Sequence, residues 1–503
     1  MSIFSTESFR EHIKSDNRES LAICDDLAAA LQVSLELYPK GENILGVYFF
    51  DVLKLLTGSY FKHKEIRLGI EPSNEYLNRK LDGWPYIGYD DIAKGCDLGS
   101  KRFGKVSSIK QSILKRFLQR SVNTQYDLGR QFSKRISLTS PRIAYGESLL
   151  WRQSPQLKTN LITANKGWFS VRALHDQLES IRSIVVEVME KNNHPVSSTL
   201  IVELLLNHIK ADCFEGPVDF KFESDILLLT SGIELHNRML SMAAVSQGLP
   251  VINIMHGEAW GILDEPPFSE LGEHTYSNAI LGYGDGAVPS QKKYKYGLSQ
   301  KIHYINSNGS NVKRFYKNEF KGVNSALGKL NYFYYPTTLS GATHRYGPYR
   351  DTADSLYLSW QQNLFDLFKT GITVKCHPKE KYASSYASPS VSLVSGSFDV
   401  VLNDIDVFVF DYIGTAFHEA CATDKPVIFF DLGIRNIAPD VLEAIKVRTV
   451  YFNIDDGMPL LSEIEDRIAF AKMNNTYSTK YSLCGDNKSR SQSLSEGIDK
   501  FYG

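Results

Sequence analysis

The sequence predicts an α/β protein built from two doubly wound, Rossmann-like domains. Its 503 residues exceed what a single hydrophobic core normally supports, so we expect at least two domains. From residue 225 onward, short apolar runs alternate with segments of helical periodicity, which is the pattern of βαβ units and a parallel sheet. This alternation restarts near residue 311. We therefore expect an N-terminal domain with helical insertions over residues 1–310 and a C-terminal domain over residues 311–503.

The clearest unit of the first domain begins at Asp225. DILLLTS indicates a buried strand, GIELHNRMLSMAAVSQG a helix that stops at a glycine, and PVINIMHG a second strand that ends in a polar turn. Two further strand-and-turn units follow, AILGYGDG at 279–286 and KIHYINSNGSN at 301–311. Earlier in the chain, helical periodicity predicts helices at Leu21–Leu37 and Phe169–Asn192.

The second domain is predicted to open with the strand LNYFYYPTT and a helix over 351–369, followed by the strands ITVKCHP and SVSLVSG and the short helix FDVVLND. Its most informative part is the segment VLNDIDVFVFDYIGTAFHEACATDKPVIFF. The elements predicted there are a strand at Ile405–Phe410, a turn at Asp411–Thr415, a helix at Ala416–Thr423 and a strand at Pro426–Phe430. The polar segment 474–495 is expected to be loose, and a last short helix is expected to cross back to the first domain.

Charge and composition limit the kinds of partner. Lys and Arg number 56 against 57 Asp and Glu, so the net charge of −1 does not indicate a nucleic-acid-binding protein. The six cysteines are scattered without a CxxC pair, so neither a zinc site nor a disulfide framework is expected. The N-terminus lacks the apolar stretch of a signal peptide. The apolar run Ile44–Phe61 is interrupted by Asp51 and Lys54, which favours a core segment over a membrane span.

The segment 101–142 is locally basic, with eleven Lys and Arg residues against one acid, Asp127. Within it, apolar residues such as Ile109, Ile113 and Phe117 recur at helical spacing. A basic amphipathic helix of this kind can lie on an anionic membrane surface. The commoner alternative is a solvated helix whose apolar stripe packs against the core.

The first candidate site residues of the second domain follow the strand that ends at Cys376. Pro378 ends the strand and holds His377 at the sheet edge, where its imidazole can donate to a phosphate oxygen. Lys379 adds a fixed positive charge. An HP pair alone is a weak signal, because His194–Pro195 has the same letters with no strand before it.

The turn that begins at Asp411 joins a buried strand to the start of a helix. Ligands of parallel sheets bind at the carboxyl ends of strands, and a helix N-terminus is suited to phosphate. Gly414 permits close backbone approach, and Thr415 is expected to cap the helix and offer its hydroxyl and amide to an anion. Glu419 lies one turn further on the same face, where its carboxylate could accept ribose hydroxyls. The alternatives are an ordinary N-cap and an exposed helical acid.

Three candidate catalytic residues follow strands of the first domain. His256 and Glu258 come directly after VINIM, and Asp285 lies in GYGDG. Glu258 could act as a general base or orient His256, and Asp285 is the other acid at a strand end. The structural alternatives are a turn made by Gly257 and a turn capped by Asp285. The letters DID at 404–406 resemble a metal-binding motif but precede their strand, at the wrong edge for a cleft, so no essential metal is expected.

Three of these segments together resemble the bacterial surface-polysaccharide glycosyltransferases of GT-B architecture. GLPVINIMHG is similar to their GIP-hydrophobic-QHG segment, with Met255 in place of the glutamine. The HP turn at His377–Pro378 is shared by bacterial sialyltransferases, Kdo transferases and CDP-glycerol glycerophosphotransferases. IDVFVFDYIGTAFHEACATDKPVIFF resembles their D-hydrophobic-D-Y-S-S/T-x₃-E-A-x₄-KPVI block. The resemblance covers roughly residues 225–435 and no part of the first 200.

The resemblance implies that the two domains face a central cleft, with the nucleotide-sugar donor on the C-terminal domain and the acceptor on the N-terminal one. His377 and Thr415 are then expected at the donor phosphate and Glu419 at the nucleotide sugar, with His256 and Glu258 across the cleft. The D/E-D-G acid motif of the sialyltransferases is matched only in part by the GDG of GYGDG. The catalytic acid or base and the donor therefore remain open. No cofactor or metal is expected.

The predicted function is transfer of a sugar from a nucleotide-activated donor to a lipid-linked or oligosaccharide acceptor during capsule or O-antigen synthesis. CMP-Kdo or another cytidine-activated sugar is favoured as the donor. The helix dipole with His377, Lys379 and Thr415 would stabilise the leaving nucleotide. An inverting mechanism would use a carboxylate base and a retaining one a carboxylate nucleophile, and both stay open. The protein is expected in the cytoplasm or on the inner face of the cytoplasmic membrane.

Three alternative functions remain open at the level of the sequence. The first is a CDP-glycerol or ribitol-type polyol-phosphate transferase, which shares the HP turn. The second is a non-catalytic GT-B scaffold in the assembly machinery. The third is a sugar-nucleotide epimerase, because such enzymes share the GT-B shape.

Overall fold

The computed structural model describes most of both domains. The described residues are 6–38, 43–67, 125–127, 136–139, 158–160, 169–211, 213–214, 222, 225–229, 235–255, 261–263, 275–286, 302–308, 312–317, 330–336, 354–369, 371–376, 391–394, 398, 402–433, 435–470, 474–485 and 490–502. Five predicted site residues, His256, Glu258, His377, Pro378 and Lys379, lie outside the described residues, as does most of the basic segment 101–142.

The first half of the chain contains five long helices and nine strands among the described residues. They are α1 (Thr6–Leu37), α2 (Ile44–Arg67), β1 (Gln125–Asp127), β2 (Ile136–Thr139), β3 (Lys158–Asn160), β4 (Phe169–Ser170), α3 (Val171–Lys191), α4 (Ser198–Ala211), β5 (Cys213–Phe214), β6 (Ile226–Leu229), α5 (Leu235–Ser246), β7 (Val251–Ile254), β8 (Ala279–Tyr283) and β9 (His303–Ser307).

The second half of the chain again alternates helices and strands. Its elements are α6 (Val312–Phe315), β10 (Tyr332–Tyr335), α7 (Asp354–Leu367), β11 (Ile372–Lys375), β12 (Val391–Val394), β13 (Val407–Phe410), α8 (Thr415–Ala422), β14 (Val427–Asp431), α9 (Pro439–Arg448), β15 (Val450–Asn453), α10 (Leu461–Phe470), α11 (Thr476–Tyr481) and α12 (Arg490–Tyr502). Short 3-10 turns at Leu402–Asp404 and Ile454–Asp456 complete it.

The first sheet has seven strands in the order β3-β1-β2-β6-β7-β8-β9. The run from β2 to β9 is parallel, and its order advances in one direction across the sheet. β1 is antiparallel to both of its neighbours and lies near one edge. β6, β7 and β8 are buried at every position, as expected for strands that are covered on both faces.

A layer of helices packs on this sheet through α5. α1, α2, α3 and α4 share one apolar cluster that also takes in Met239 and Met242 of α5. Residues 44–53 of α2 are all buried, so this part of the apolar run is core, as predicted. Its Asp51 accepts a hydrogen bond of 2.5 Å from the buried Arg238 guanidinium, which compensates the buried charge. Among the described residues, no helix is long and apolar enough to cross a membrane.

The second sheet has six parallel strands in the order β12-β11-β10-β13-β14-β15. Numbered by position in the chain, this is the order 3-2-1-4-5-6 of a Rossmann fold. Side chains of α7 and α10, among them Trp360 and Ile464, cover one face. Side chains of α8, α9 and α11, among them Phe417 and Tyr477, cover the other. Because helices pack on both faces, this domain is doubly wound. The two parallel sheets confirm the predicted α/β class with two Rossmann-like domains.

The end of the chain returns to the first sheet. α12 packs on β9, where Gly497 lies so close to Ile305 that an added Cβ would come within 2.6 Å of its side chain. This confirms the predicted crossing of a last short helix. The prediction of a loose segment at 474–495 is wrong in part, because α11 forms there and buries Tyr477 and Tyr481 against the second domain.

Candidate functional site

The strand order of the second sheet reverses between β10 and β13. In an open parallel sheet, connections leave in opposite directions at such a switch point and open a crevice beyond the carboxyl ends of the strands. β10 ends at Tyr335 and β13 at Phe410, which are register partners with rings stacked 5.2 Å apart. The described residues that follow Phe410 are Asp411 to Gly414 and then α8. The candidate site is therefore the crevice above this pair.

Four residues separate the end of β13 from the start of α8. Its N-cap is Gly414, which has an extended backbone and offers no side-chain cap. The Gly414 carbonyl accepts from the amides of Phe417 and His418. Thr415 is the first helical residue and not the cap, so its predicted capping role is wrong. The backbone at Gly414 is extended, a conformation that any residue can adopt.

The C-terminal end of α8 is held by a buried arginine. The Arg448 guanidinium donates to the carbonyls of Ala420, Cys421, Thr423 and Lys425, at 2.7 to 3.2 Å. Ala420 and Cys421 belong to the last turn of α8, and Thr423 and Lys425 to the segment that follows it. A cation there interacts favourably with the helix dipole, and Arg448 holds the C-terminal end of α8 in place.

Asp411 lies in a cage of aromatic side chains beneath the turn. Its carboxylate accepts hydrogen bonds from the Tyr334 hydroxyl at 2.5 Å, the Tyr357 hydroxyl at 2.9 Å and the Trp360 indole N–H at 2.9 Å. Gln361 in turn donates to the Tyr334 hydroxyl. Burial raises the pKa of Asp411 to about 6, against the opposing effect of these hydrogen bonds. The carboxylate is directed into the core, and the role the geometry supports is to anchor the turn.

Glu419 is buried and not exposed on the surface of α8. Only 5% of the residue is accessible, which contradicts the alternative of an exposed helical acid. It lies four residues after the half-buried Thr415, on the same face of the helix. Its charge acts on the hydroxyl of Tyr335, whose pKa is raised first by burial and then by Glu419. Glu419 is thus a buried acid on the helix that begins next to the switch point.

A pocket lies beside the turn where the two domains meet. It encloses about 320 Å³, open to solvent, and its wall includes the turn residues Asp411 to Ile413 and the segment after β14. Arg435 of that segment places its guanidinium 5.8 Å from the ring centre of Tyr412. Leu263 of the first domain also lines the pocket and forms an isolated bridge with Ile437.

The GYGDG turn of the first domain is a contact between the domains. The exposed Asp285 accepts from the Gly485 amide at 2.9 Å and from Asn306 at 3.5 Å. Gly286 donates its amide to the Lys480 carbonyl. Gly284 has a positive φ of 66°, and an added Cβ would lie 2.5 Å from a backbone carbon of Tyr481. The structure thus places Asp285 where the chain crosses back from α11 to the first domain.

His418 belongs to the same contact and was missed by sequence reasoning. Its Nδ1 lies 2.8 Å from the Ser482 hydroxyl, and its ring packs edge-on against Tyr283 at the end of β8. Burial lowers the pKa of His418 to about 4, so it is neutral at pH 7. The aromatic partners of Asp411 were missed as well. No sequence signal marks these residues, because their roles depend on contacts between distant elements.

The remaining predictions concern undescribed residues and metal binding. His377, Pro378 and Lys379 follow Cys376 at the end of β11, the neighbour of β10, and His256 and Glu258 follow β7. Asp406, part of the DID letters, precedes β13 and accepts from the Asn331 amide, which confirms its place at the amino edge of the sheet. Within the described residues, no three His, Cys, Asp or Glu side chains converge on a metal-sized site. Metal independence stays a prediction.

Comparisons with known proteins add little to this geometry. No family model matches the chain, and no curated protein matches it. Among solved structures, the crystal structure of Acinetobacter baumannii MurG is similar over 61% of this chain and 80% of that chain. The identity is 12% and the TM-score is 0.32, a level of similarity that carries no argument about function.

Proposed function

We propose that the protein is a GT-B glycosyltransferase that takes a sugar from a nucleotide-activated donor bound in the crevice of the second domain. The observation that carries the proposal is the switch point between β10 and β13, with the N-terminal end of α8 directly above it. A helix N-terminus at a switch point is suited to the phosphates of a nucleotide. Gly414 brings no side chain of its own to this space, and the Tyr412 ring lies beside it.

The roles proposed for individual residues follow from this placement. Thr415 offers its hydroxyl and amide to a donor phosphate, and the buried Glu419 accepts hydroxyl groups of the nucleotide sugar. His377 and Lys379 follow the strand next to β10, and we propose that they add hydrogen bonding and charge at the same phosphates. Asp411 acts indirectly by anchoring the turn.

The acceptor side belongs to the first domain in this proposal. Glu258 would remove the proton of the acceptor hydroxyl if the reaction inverts the sugar, or it would orient His256. Asp285 is the other proposed acid, although its hydrogen bond with Gly485 gives it an anchoring role in the structure. We propose a lipid-linked or oligosaccharide acceptor of a bacterial surface polysaccharide, and a cytidine-activated donor such as CMP-Kdo. The protein would act in the cytoplasm, with the segment 101–142 on an anionic membrane.

The donor site is tested by nucleotide binding. Thermal unfolding and calorimetric titration with CMP, CDP, UDP and GDP should show stabilisation by at least one nucleotide, because a ligand that binds only the native state raises its stability. Thr415→Val keeps the shape and removes the hydroxyl, so we expect binding about tenfold weaker. Thr476→Val, at the first position of the exposed end of α11, is the matched control and should bind like the wild type.

Four outcomes would contradict the proposal or a part of it. If the wild type binds none of the four nucleotides, the crevice is not a nucleotide site. If it binds CDP-glycerol and transfers glycerol phosphate, the polyol-phosphate alternative is correct. Full activity of both His377→Ala and Glu258→Ala in a transfer assay would exclude the proposed roles of these two residues, and a bound nucleotide sugar with no transfer to any acceptor would favour a scaffold or an epimerase. Product analysis without acceptor separates those two.

A further inference from the structure

Two polar side chains stand next to each other at the carboxyl edge of the second sheet, one on each of two neighbouring strands. Tyr334 of β10 is the register partner of Val374 of β11, so the next residues, Tyr335 and Lys375, are also neighbours. Parallel strands lie about 4.8 Å apart, and side chains at equal register share a face. Tyr335 and Phe410 belong to the face that α8 covers. Tyr335 and Lys375 thus lie on the α8 side of the switch point.

Tyr335 carries a buried hydroxyl with an unused capacity for hydrogen bonding. The residue is 8% exposed, and within the described part of the chain its hydroxyl has no hydrogen-bond partner. A buried hydroxyl without a partner is destabilising relative to a bare ring, because it has lost its water and gained nothing. Such groups in native structures call for an explanation, and a ligand is one.

Lys375 adds a positive charge beside this hydroxyl. It is 6% exposed, and its Nζ donates to the carbonyl of Cys376 at the very end of β11. A lysine that is this buried is costly unless an anion accompanies it. The buried Glu419 of α8 raises the pKa of the Tyr335 hydroxyl further. A buried hydroxyl and a buried lysine therefore stand side by side at the carboxyl edge of the sheet, which suits a ligand that carries an anionic group.

We propose that Tyr335 and Lys375 bind a phosphate of the nucleotide donor, with the Tyr335 hydroxyl donating to a phosphate oxygen and Lys375 supplying the charge. This inference rests on the proposed function and adds two residues to its donor site. Phosphate suits both groups because it accepts several charge-assisted hydrogen bonds at once. The ligand would then satisfy the hydroxyl that folding leaves unpaired.

The test uses a second tyrosine of the same strand as a control. Tyr332 is also buried and its hydroxyl also lacks a partner among the described residues, but it lies at the amino end of β10 and on the other face. We would measure binding of CDP and of cytidine to the wild type, Tyr335→Phe, Tyr332→Phe and Lys375→Met, using the cognate nucleotide and nucleoside if another base binds best. Unfolding temperatures of all four proteins without ligand complete the experiment.

We expect Tyr335→Phe to weaken CDP binding about 5- to 30-fold and Lys375→Met at least as much, because each removes a hydrogen bond to a charged group. Cytidine binding should not change, and Tyr335→Phe should unfold at the same temperature as the wild type or higher. Tyr332→Phe should bind CDP within about twofold of the wild type.

Two results would overturn the inference while the proposed function stands. One is unchanged CDP binding by Tyr335→Phe and Lys375→Met. The other is an equal loss for CDP and cytidine, which would place the contact away from the phosphate. If the wild type binds no nucleotide at all, the proposed function fails and this inference fails with it, so the two failures are distinguishable.

Discussion

Two turns of similar composition follow buried strands in the two domains, and the protein uses them differently. GYGDG comprises the last two residues of β8 and the three residues after it, and DYIGT follows β13. Both contain a tyrosine, a glycine and an aspartate. In the first turn, the glycines lie against the backbone of the crossing segment and Asp285 accepts one of its amides. In the second turn, the aspartate is buried in an aromatic cage and the glycine begins a helix.

The difference distinguishes a turn that joins the two domains, GYGDG, from a turn that belongs to the candidate ligand site, DYIGT. The GYGDG turn is filled by the protein's own backbone, which leaves little room for a ligand at Gly284 and Gly286. In the DYIGT turn, the aromatic partners of Asp411 hold the carboxylate, and the atoms nearest to Gly414 belong to the Tyr412 ring of the same turn. An acidic residue at the end of a strand is therefore not enough to identify a catalytic position. What distinguishes the two is which groups occupy the space beyond the strand.

The largest expected effect comes from removal of the aspartate that supports the second turn. Asp411→Ala would leave the Tyr334 hydroxyl, the Tyr357 hydroxyl and the Trp360 N–H buried without their acceptor. We expect a loss of about 3–5 kcal/mol in the free energy of unfolding. Asp411→Asn keeps the shape and one acceptor oxygen and should lose less. Chemical denaturation measures both, and a loss below about 1 kcal/mol for Asp411→Ala would show that the cage does not support the turn.

The next effect is a pH dependence of the free energy of unfolding that arises from the titration of Asp411. Its pKa is raised from 3.8 to about 6 in the folded protein, so the folded state keeps a proton that the unfolded state has lost. The contribution to stability is therefore fully present below about pH 4, falls as the pH rises to about 6 and is constant above, by an amount on the order of 3 kcal/mol. Asp411→Asn lacks this pH dependence, because asparagine does not titrate.

The measurement is the difference in unfolding free energy between the wild type and Asp411→Asn from pH 4 to pH 7. The difference removes the opposite contribution of His418, whose lowered pKa of about 4 makes stability fall as the pH drops below about 6.5. A wild-type advantage that grows with pH would have the wrong sign, and it would mean that the hydrogen bonds in the cage outweigh burial.

Local patterns predict the second turn well because its elements depend on nearby residues. The predicted strand at Ile405–Phe410 and helix at Ala416–Thr423 differ from Val407–Phe410 and Thr415–Ala422 by at most two residues. The apolar run of the strand and the glycine before the helix specify these two elements. The cage could not be predicted, because the partners of Asp411 lie 51 to 77 residues earlier in the chain. Likewise, the polar sequence of α11 does not show that two of its tyrosines are buried, because their burial depends on packing against α8 and α9.

The smallest effect tests whether the first turn is a joint. Gly284→Ala places a Cβ 2.5 Å from the backbone of Tyr481, at a φ of +66° that disfavours any side chain. Gly248 has a φ of +77° and nothing within 4 Å, so Gly248→Ala measures the backbone strain alone, about 1 kcal/mol. We expect Gly284→Ala to lose about 2–3 kcal/mol because the crossing segment must also move.

Gly414→Ala completes the comparison between the turns. Its φ of −139° suits any residue, and the nearest atoms are those of the Tyr412 ring, 3.2 Å from an added Cβ. Since a side chain can yield where a backbone cannot, we expect a loss below about 1 kcal/mol. Denaturation of the three variants should therefore rank Gly284→Ala well above Gly248→Ala, with Gly414→Ala lowest. Equal losses at positions 284 and 248 would mean that the crossing segment is free to shift, and that the two domains are not held together at this turn.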